Sequence, residues 1–176
     1  MRTVRVRPAT AVDWPRIWPF FQQIVQAGES YAYPLDLTEQ TARSLWMEVP
    51  PGQTFVAVDA DASDGAEELV LGSAKAGPNR PGRGSHVATA SFMVDPAQRG
   101  RGLGRALGEH VLAWAREQGY RGMQFNAVVE TNAPAVALWR ALGFEVVGTV
   151  PEAFDSAAHG LVGLHVMYRP LTDPPA

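Results

Sequence analysis

The chain has 176 residues, of which 46% are hydrophobic and 19% charged, with a formal net charge of −3 and no cysteine. These values predict one folded domain over residues 1–176, and they exclude a disordered chain, a disulfide scaffold and a thiolate metal site. The slight acidic excess disfavours a general nucleic-acid binder. We find no apolar run of membrane-spanning length and no signal-peptide pattern, so we expect a cytoplasmic protein without a membrane partner.

The first half of the chain predicts one strand, two helices and a pair of strands. Alternating apolar residues mark the strands, and helical apolar periodicity with capping residues marks the helices. Pro19 lies inside the first helical pattern, where we expect it to kink the helix or delay its start. In chain order we predict a strand at Thr3–Arg7, a helix after a capping box at Thr10–Asp13, a loop at Gly28–Leu37, a helix capped by Thr38, and strands at Phe55–Val58 and Leu69–Ala76 around a polar hairpin tip at Asp59–Glu68.

The second half alternates strands with helices and ends in two further strands. The overall order β-α-α-β-β-β-α-β-α-β-β predicts an α/β protein with a mixed sheet, antiparallel early and parallel where strand, helix and strand alternate. In chain order we predict a loop at Gly77–Ser85, a strand at Ala88–Val94, a helix that buries Leu103, Leu107, Val111 and Trp114 and ends at Gly119, a strand at Met123–Val129, a helix opened by Asn132, a strand at Phe144–Val150, a loop at Pro151–Gly160 and a strand at Leu161–Arg169.

A loop rich in glycine and arginine joins the strand that ends at Val94 to the following helix. Glycines let the backbone approach a ligand closely, and the N–H groups of a helix's first turn favour an anion. The loop therefore predicts a phosphate or pyrophosphate cradle. Its glycines are Gly100, Gly102 and Gly104, and its arginines, which add positive charge, are Arg99, Arg101 and Arg105.

The spacing of this loop excludes two common nucleotide sites. It lacks the Gly-Lys-Ser/Thr end of a P-loop. It also departs from the G-x-G-x-x-G fingerprint, because Arg105 stands where the third glycine belongs. A nucleotide-binding protein is therefore not favoured.

The segment Asn132–Phe144 predicts a capped helix followed by a strand. Asn132 is a suitable N-cap, Pro134 fits the first turn, and Gly143 is a natural C-terminal cap. This segment resembles the signature N-x-x-A-x-x-L-Y-x-x-x-G-F of the GCN5-related N-acetyltransferase (GNAT) family. The Arg99–Gly104 loop resembles the acyl-CoA pyrophosphate loop of the same family, Q/R-x-x-G-x-G/A. The resemblance covers essentially the whole chain, and Gly28–Tyr33 is loosely similar to the phosphinothricin-type acetyltransferases.

The resemblance implies the GNAT acyl-CoA N-acyltransferase fold, in which the fourth and fifth strands splay apart and the pantetheine arm of acetyl-CoA lies in the opening. Acetyl-CoA would be the acyl-donor substrate, with no metal. The backbone from Phe92 to Val94 would hydrogen-bond the pantetheine and polarise the thioester carbonyl. The residues expected to bind acetyl-CoA are Phe92, Met93, Val94, Arg99, Gly100, Arg101, Gly102, Leu103, Gly104, Arg105, Asn132, Ala135 and Trp139.

The catalytic residues are less defined by the sequence. Trp139 stands where the family often has a tyrosine acid, and an indole N–H is no general acid at neutral pH. We therefore expect Trp139 to pack beside the sulfur without transferring a proton. Glu29 and Glu130 are the candidates for the base, and His86 and His165 are interpreted as structural.

We favour Glu29 as the base because its loop joins the two helices expected to cover the acceptor. Tyr31 and Tyr33 would line the acceptor site and raise the pKa of Glu29 by desolvation. The predicted function is an N-acetyltransferase acting on a small-molecule amine, such as an amino acid or an amino-acid-like compound. The alternative is a non-catalytic acyl-CoA-binding module of the same fold. A homodimer is the assembly we consider, and no nucleic-acid partner is expected.

Overall fold

The computed structural model describes residues 4–59 and 68–172. Its element order confirms the predicted mixed α/β fold. The elements are β1 (Val4–Pro8), α1 (Trp14–Ala27), α2 (Glu39–Trp46), β2 (Gln53–Asp59), β3 (Val70–Pro78), β4 (Val87–Val94), α3 (Leu103–Glu117), β5 (Gly122–Val129), α4 (Ala133–Ala141), β6 (Glu145–Ser156) and β7 (Gly160–Pro170). The predicted hairpin tip lies outside the described residues except for its two ends, Asp59 and Glu68.

The described strands form one sheet in the order β1-β2-β3-β4-β5-β7-β6. β4 runs parallel to β5, as predicted for two strands joined by a helix, and the other neighbours are antiparallel. β4 pairs with β5 at Val87 with Gly122 and at Ala88 with Met123, and beyond these pairs the two strands diverge. This divergence creates an opening in the middle of the sheet.

Helices cover both faces of the sheet, and β2, β3 and β4 contribute buried residues to the cores on both sides. Along β2, Phe55 and Ala57 pack with α3 and α4, whereas Val56 and Val58 pack with α1 and α2. The alternation follows from the two-residue period of a strand, and it explains why β2 is apolar on both sides. Within residues 4–59 and 68–172, no helix combines the length and the apolar character needed to cross a bilayer.

The turn before α1 is held by Asp13. Arg7 donates two hydrogen bonds of 2.9 Å to the Asp13 carboxylate, and the Thr10 backbone N–H donates a third of 2.7 Å. Burial alone would raise the pKa of Asp13, but the hydrogen bonds from Arg7 and Thr10 outweigh it and hold the pKa below its usual value. Asp13 thereby fixes the start of α1 against β1.

The structure corrects two details of the sequence predictions. α1 runs continuously from Trp14 to Ala27 and begins ahead of Pro19, so the proline does not delay the helix. The predicted loop Pro151–Gly160 is mostly strand, because β6 continues to Ser156 across an irregularity between Val150 and Phe154. β6 is an edge strand, and a proline is tolerated there because its missing N–H breaks no inner ladder.

Candidate active site

The opening between β4 and β5 continues into a cleft of about 560 Å³ that passes from one face of the sheet to the other. The loop after α1 lines the cleft on one face, and the starts of α3 and α4 line it on the other. The wall contains ten of the predicted site residues: Tyr31, Tyr33, Phe92, Met93, Val94, Arg99, Gly104, Asn132, Ala135 and Trp139. Residues that are separated by more than a hundred positions in sequence therefore meet around one cavity.

The glycine-rich loop forms a bare helix N-terminus at one end of this cleft. Gly100 and Gly102 have φ values of 79° and 72°, which side chains other than glycine rarely adopt. Gly102 occupies the N-cap position of α3, and no side chain caps the helix there. The N–H groups of the first turn, which begins at the buried Leu103, are thus left for an external acceptor. This is the arrangement expected for binding a phosphate group.

The three arginines of the loop have different surroundings. Arg99 lies on the wall of the cleft. Arg101 instead donates to the side chain of Gln98 at 2.7 Å, and its guanidinium lies 3.7 Å from the carboxylate of Asp59. Arg105 pairs with Glu109 one turn further along the exposed surface of α3. Arg99 is therefore the arginine of this loop that lines the cleft.

Tyr31 makes two hydrogen bonds across the cleft. The Phe92 backbone N–H donates to its hydroxyl at 2.9 Å, and the same hydroxyl donates to the Phe92 carbonyl at 2.6 Å. The Tyr31 ring is stacked on Tyr33 with centroids 5.6 Å apart. The sequence indicated that the Phe92 backbone matters, but it carried no signal that a tyrosine 61 positions away would hold it.

Trp139 closes the inner side of the cleft. Its side chain is buried, and its ring centroid lies 4.6 Å from that of Phe92 and 4.9 Å from that of Phe125. The helix that carries it begins as predicted, because the Asn132 side chain accepts a hydrogen bond from Ala135 N–H. The position is filled by packed aromatic rings, and an indole N–H is no general acid at neutral pH.

Glu29 and Glu130 lie outside the cleft wall as the structure describes it. Ser156 Oγ and the Ala158 N–H donate to the Glu29 carboxylate at 2.7 and 2.8 Å. These hydrogen bonds hold the pKa of Glu29 below its usual value, and the one from Ser156 has the largest effect. The expected rise of this pKa is therefore wrong, because the carboxylate faces the β6–β7 turn and not the tyrosines. Glu130 accepts a hydrogen bond from Gly163 N–H on β7.

A chain of amides that the sequence analysis missed lies along β5. Asn126 lines the cleft, accepts a hydrogen bond from Gln124 at 2.8 Å and donates one to Asn79 at 2.7 Å. The available signal was the alternation of Gln124 and Asn126 with apolar residues of the same strand. Polar side chains at every second position of an inner strand indicate that one face meets a cavity. Among the described residues, no group of three or more potential ligands is placed to hold a metal ion.

Comparisons with known proteins agree with this geometry. A family model described as the acetyltransferase (GNAT) family matches residues 17–144. A solved structure of a GCN5-related N-acetyltransferase from Kribbella flavida is 59% identical with a TM-score of 0.89, and the match covers 95% of this chain and 97% of that one.

Two more distant proteins carry the names of particular acetyl acceptors. The structure of a phosphinothricin acetyltransferase from Sinorhizobium meliloti, in complex with AcCoA, is 26% identical with a TM-score of 0.81, and the match covers 98% of this chain and 94% of that one. An L-methionine sulfoximine/L-methionine sulfone acetyltransferase from Pseudomonas aeruginosa is 34% identical over 152 residues, which cover 84% of this chain and 83% of that protein.

Proposed function

The chain belongs to the acetyltransferase (GNAT) family, and from this premise we propose that it moves an acetyl group from acetyl-CoA to the amine of a small molecule. One observation carries the proposal: a single cleft joins the bare N-terminus of α3 to the backbone of Phe92 and opens on both faces of the sheet. A long donor can enter from the α3 side, and an acceptor can approach from the α1 side.

The residues present fit acetyl-CoA as a substrate. We assign the pyrophosphate to the N–H groups that follow Gly102, where the left-handed glycine leaves the first turn uncapped. Arg99, which carries a positive charge, lines the same cleft. The pantetheine arm would run past Met93 and Val94 on β4, with Asn132 and Ala135 of α4 opposite.

The thioester carbonyl is assigned to the Phe92 N–H, which points into the opening rather than to a neighbouring strand. Attack by a neutral amine places negative charge on the carbonyl oxygen, which that N–H stabilises. The carbon–sulfur bond then breaks, and the thiolate leaves. If the CoA thiol resembles cysteine, with a pKa of about 8.5, releasing thiolate at pH 7 costs about 2 kcal/mol. Water can supply that proton, so Trp139 does not need to act as an acid.

The acceptor amine must lose a proton before it attacks. An alkyl ammonium has a pKa of about 10.4, so fewer than about one molecule in a thousand is neutral at pH 7. Glu29 and Glu130 are our candidates to accept this proton through water. Glu29 is favoured because its loop also carries Tyr31 and Tyr33, which line the acceptor side of the cleft.

We assign the acceptor to the class of amino acids and amino-acid-like compounds. The acceptor side combines the rings of Tyr31 and Tyr33 with the amide of Asn126, so it offers apolar contact together with hydrogen bonds. The Pseudomonas aeruginosa relative, named for L-methionine sulfoximine and its sulfone, supports an acceptor of that size.

The test is release of free CoA thiol from acetyl-CoA with a panel of amines that includes L-methionine sulfoximine. Since the chain contains no cysteine, every thiol detected comes from CoA. The proposal expects amine-dependent thiol and an acetylated product of matching mass. Binding of acetyl-CoA without turnover for any amine would favour the non-catalytic acyl-CoA-binding module.

A further inference from the structure

The Tyr31 hydroxyl replaces a missing strand at the point where β4 leaves β5. It accepts a hydrogen bond from the Phe92 N–H and donates one to the Phe92 carbonyl, as an adjacent strand would do. Backbone groups left unpaired in a partly buried site cost free energy. The contact therefore stabilises a conformation of the free protein in which the N–H and carbonyl of Phe92 are already hydrogen-bonded.

The loop that carries Tyr31 is held at three points. The Tyr31 ring stacks on Tyr33 and meets the edge of the buried Trp46, with centroids 6.1 Å apart. At the start of the loop, Glu29 is bonded to Ser156 and to the backbone of Ala158. Burial raises the pKa of the Tyr31 hydroxyl well above its usual value, so the hydroxyl keeps its proton at working pH.

The position of this hydroxyl conflicts with the position of the acyl group. A donor that stabilises the carbonyl oxygen of a thioester lies about 2.7–3.1 Å from it. The Tyr31 oxygen lies 2.9 Å from the Phe92 nitrogen, so it occupies the place that the proposed function gives to the thioester oxygen. Two oxygens cannot share that place.

We propose that Tyr31 is a positioning residue that occupies the acyl-oxygen site in the free protein and is displaced when acetyl-CoA binds. This inference rests on the proposed function. Displacement moves the wall of the acceptor side, so binding of the acyl donor changes the shape that the amine meets. Free CoA has no carbonyl at this position and leaves Tyr31 in place. The protein thereby distinguishes acetyl-CoA from free CoA.

The test compares Tyr31→Phe with Tyr33→Phe, which removes the neighbouring hydroxyl of the same stacked pair. Calorimetry measures the dissociation constants of acetyl-CoA and of CoA for each variant and for the wild type. Because Tyr31→Phe removes the competing contact, we expect acetyl-CoA to bind about two- to tenfold more tightly, the effect of one net hydrogen bond. CoA affinity should change less than twofold. Tyr33→Phe should leave the ratio of the two affinities at the wild-type value.

The inference would be overturned if Tyr31→Phe did not raise the affinity for acetyl-CoA relative to the affinity for CoA. A purely structural role of Tyr31 would move both affinities together and leave the ratio alone. Absence of acetyl-CoA binding to the wild type would instead refute the proposed function. If Tyr31→Phe does not fold, NMR of the wild type decides: acetyl-CoA must shift the Tyr31 ring and Phe92 amide signals, and CoA must not. Equal shifts with both ligands would count against the inference.

Discussion

Replacing Gly102 with valine tests the phosphate cradle against a control in the same helix. A Cβ at Gly102 meets no heavy atom within 4 Å, so we expect the cost of the substitution to folding to be mainly backbone strain. At a φ of 72° that strain is about 1–2 kcal/mol. Gly119, just past the other end of α3, has a φ of 82° and equally open surroundings. Gly119→Val should therefore cost a similar amount.

The two variants should differ in binding. A side chain at position 102 projects into the open space at the start of α3, where we place the pyrophosphate. Hydrogen bonds to a charged group are worth roughly 1.5–3 kcal/mol each, so loss of two weakens binding by about 3–6 kcal/mol. That corresponds to roughly 10²–10⁴-fold in the dissociation constant of CoA.

Calorimetry with CoA measures the affinity, and thermal unfolding measures the stability of each variant. We expect Gly102→Val to lose CoA binding and Gly119→Val to keep it, with similar melting temperatures. Equal CoA affinity in the two variants would refute the assignment of the cradle.

Three further predictions concern the wall, the base and the fold. Trp139→Phe should keep kcat within about tenfold of the wild type, a barrier change of about 1.4 kcal/mol; a far larger fall with CoA binding intact would give the indole N–H a direct role. Glu29→Gln should lower kcat/KM at pH 7 by about 10²–10⁴-fold if Glu29 is the base, and the deficit should shrink as the pH approaches the amine pKa. Ser156→Ala is the control, because it loosens the loop but keeps the carboxylate. A Glu29→Gln deficit that is equal at all pH values would indicate that Glu29 only anchors the loop. A loss of activity confined to Glu130→Gln would make Glu130 the base. Asp13→Asn should destabilise the fold by roughly 2–3 kcal/mol in chemical denaturation, because Arg7 loses its buried partner. Since the pKa of Asp13 is lowered in the folded state, this contribution is present above the unfolded carboxyl pKa and disappears as the pH falls through the folded value, so wild type and variant should converge in acid.

Local patterns in the sequence were sufficient to predict most of the fold. The helix caps at Thr38 and Asn132 depend on neighbours within a few residues. The same is true of the left-handed glycines that precede α3 and β6. Short sequence motifs therefore predict such interactions. The parallel pairing of β4 with β5 followed because β4, α3 and β5 form one strand–helix–strand unit.

Contacts between distant segments were not predictable in the same way. The hydrogen bonds from Tyr31 to Phe92 and from Ser156 to Glu29 join residues 61 and 127 positions apart. No local pattern distinguishes a tyrosine that only lines a pocket from one whose hydroxyl forms hydrogen bonds with the backbone inside it. The extension of β6 through Pro151 was missed for a related reason, because an edge strand tolerates a residue that an inner strand excludes.

A crystal structure of the complex with acetyl-CoA tests the central claim most directly. The account predicts that the pyrophosphate lies on the N–H groups that follow Gly102. It also predicts that the thioester oxygen lies about 2.7–3.1 Å from the Phe92 nitrogen, in the place that the Tyr31 hydroxyl holds in the free protein. A pyrophosphate bound away from the start of α3, or a thioester outside the opening between β4 and β5, would contradict it.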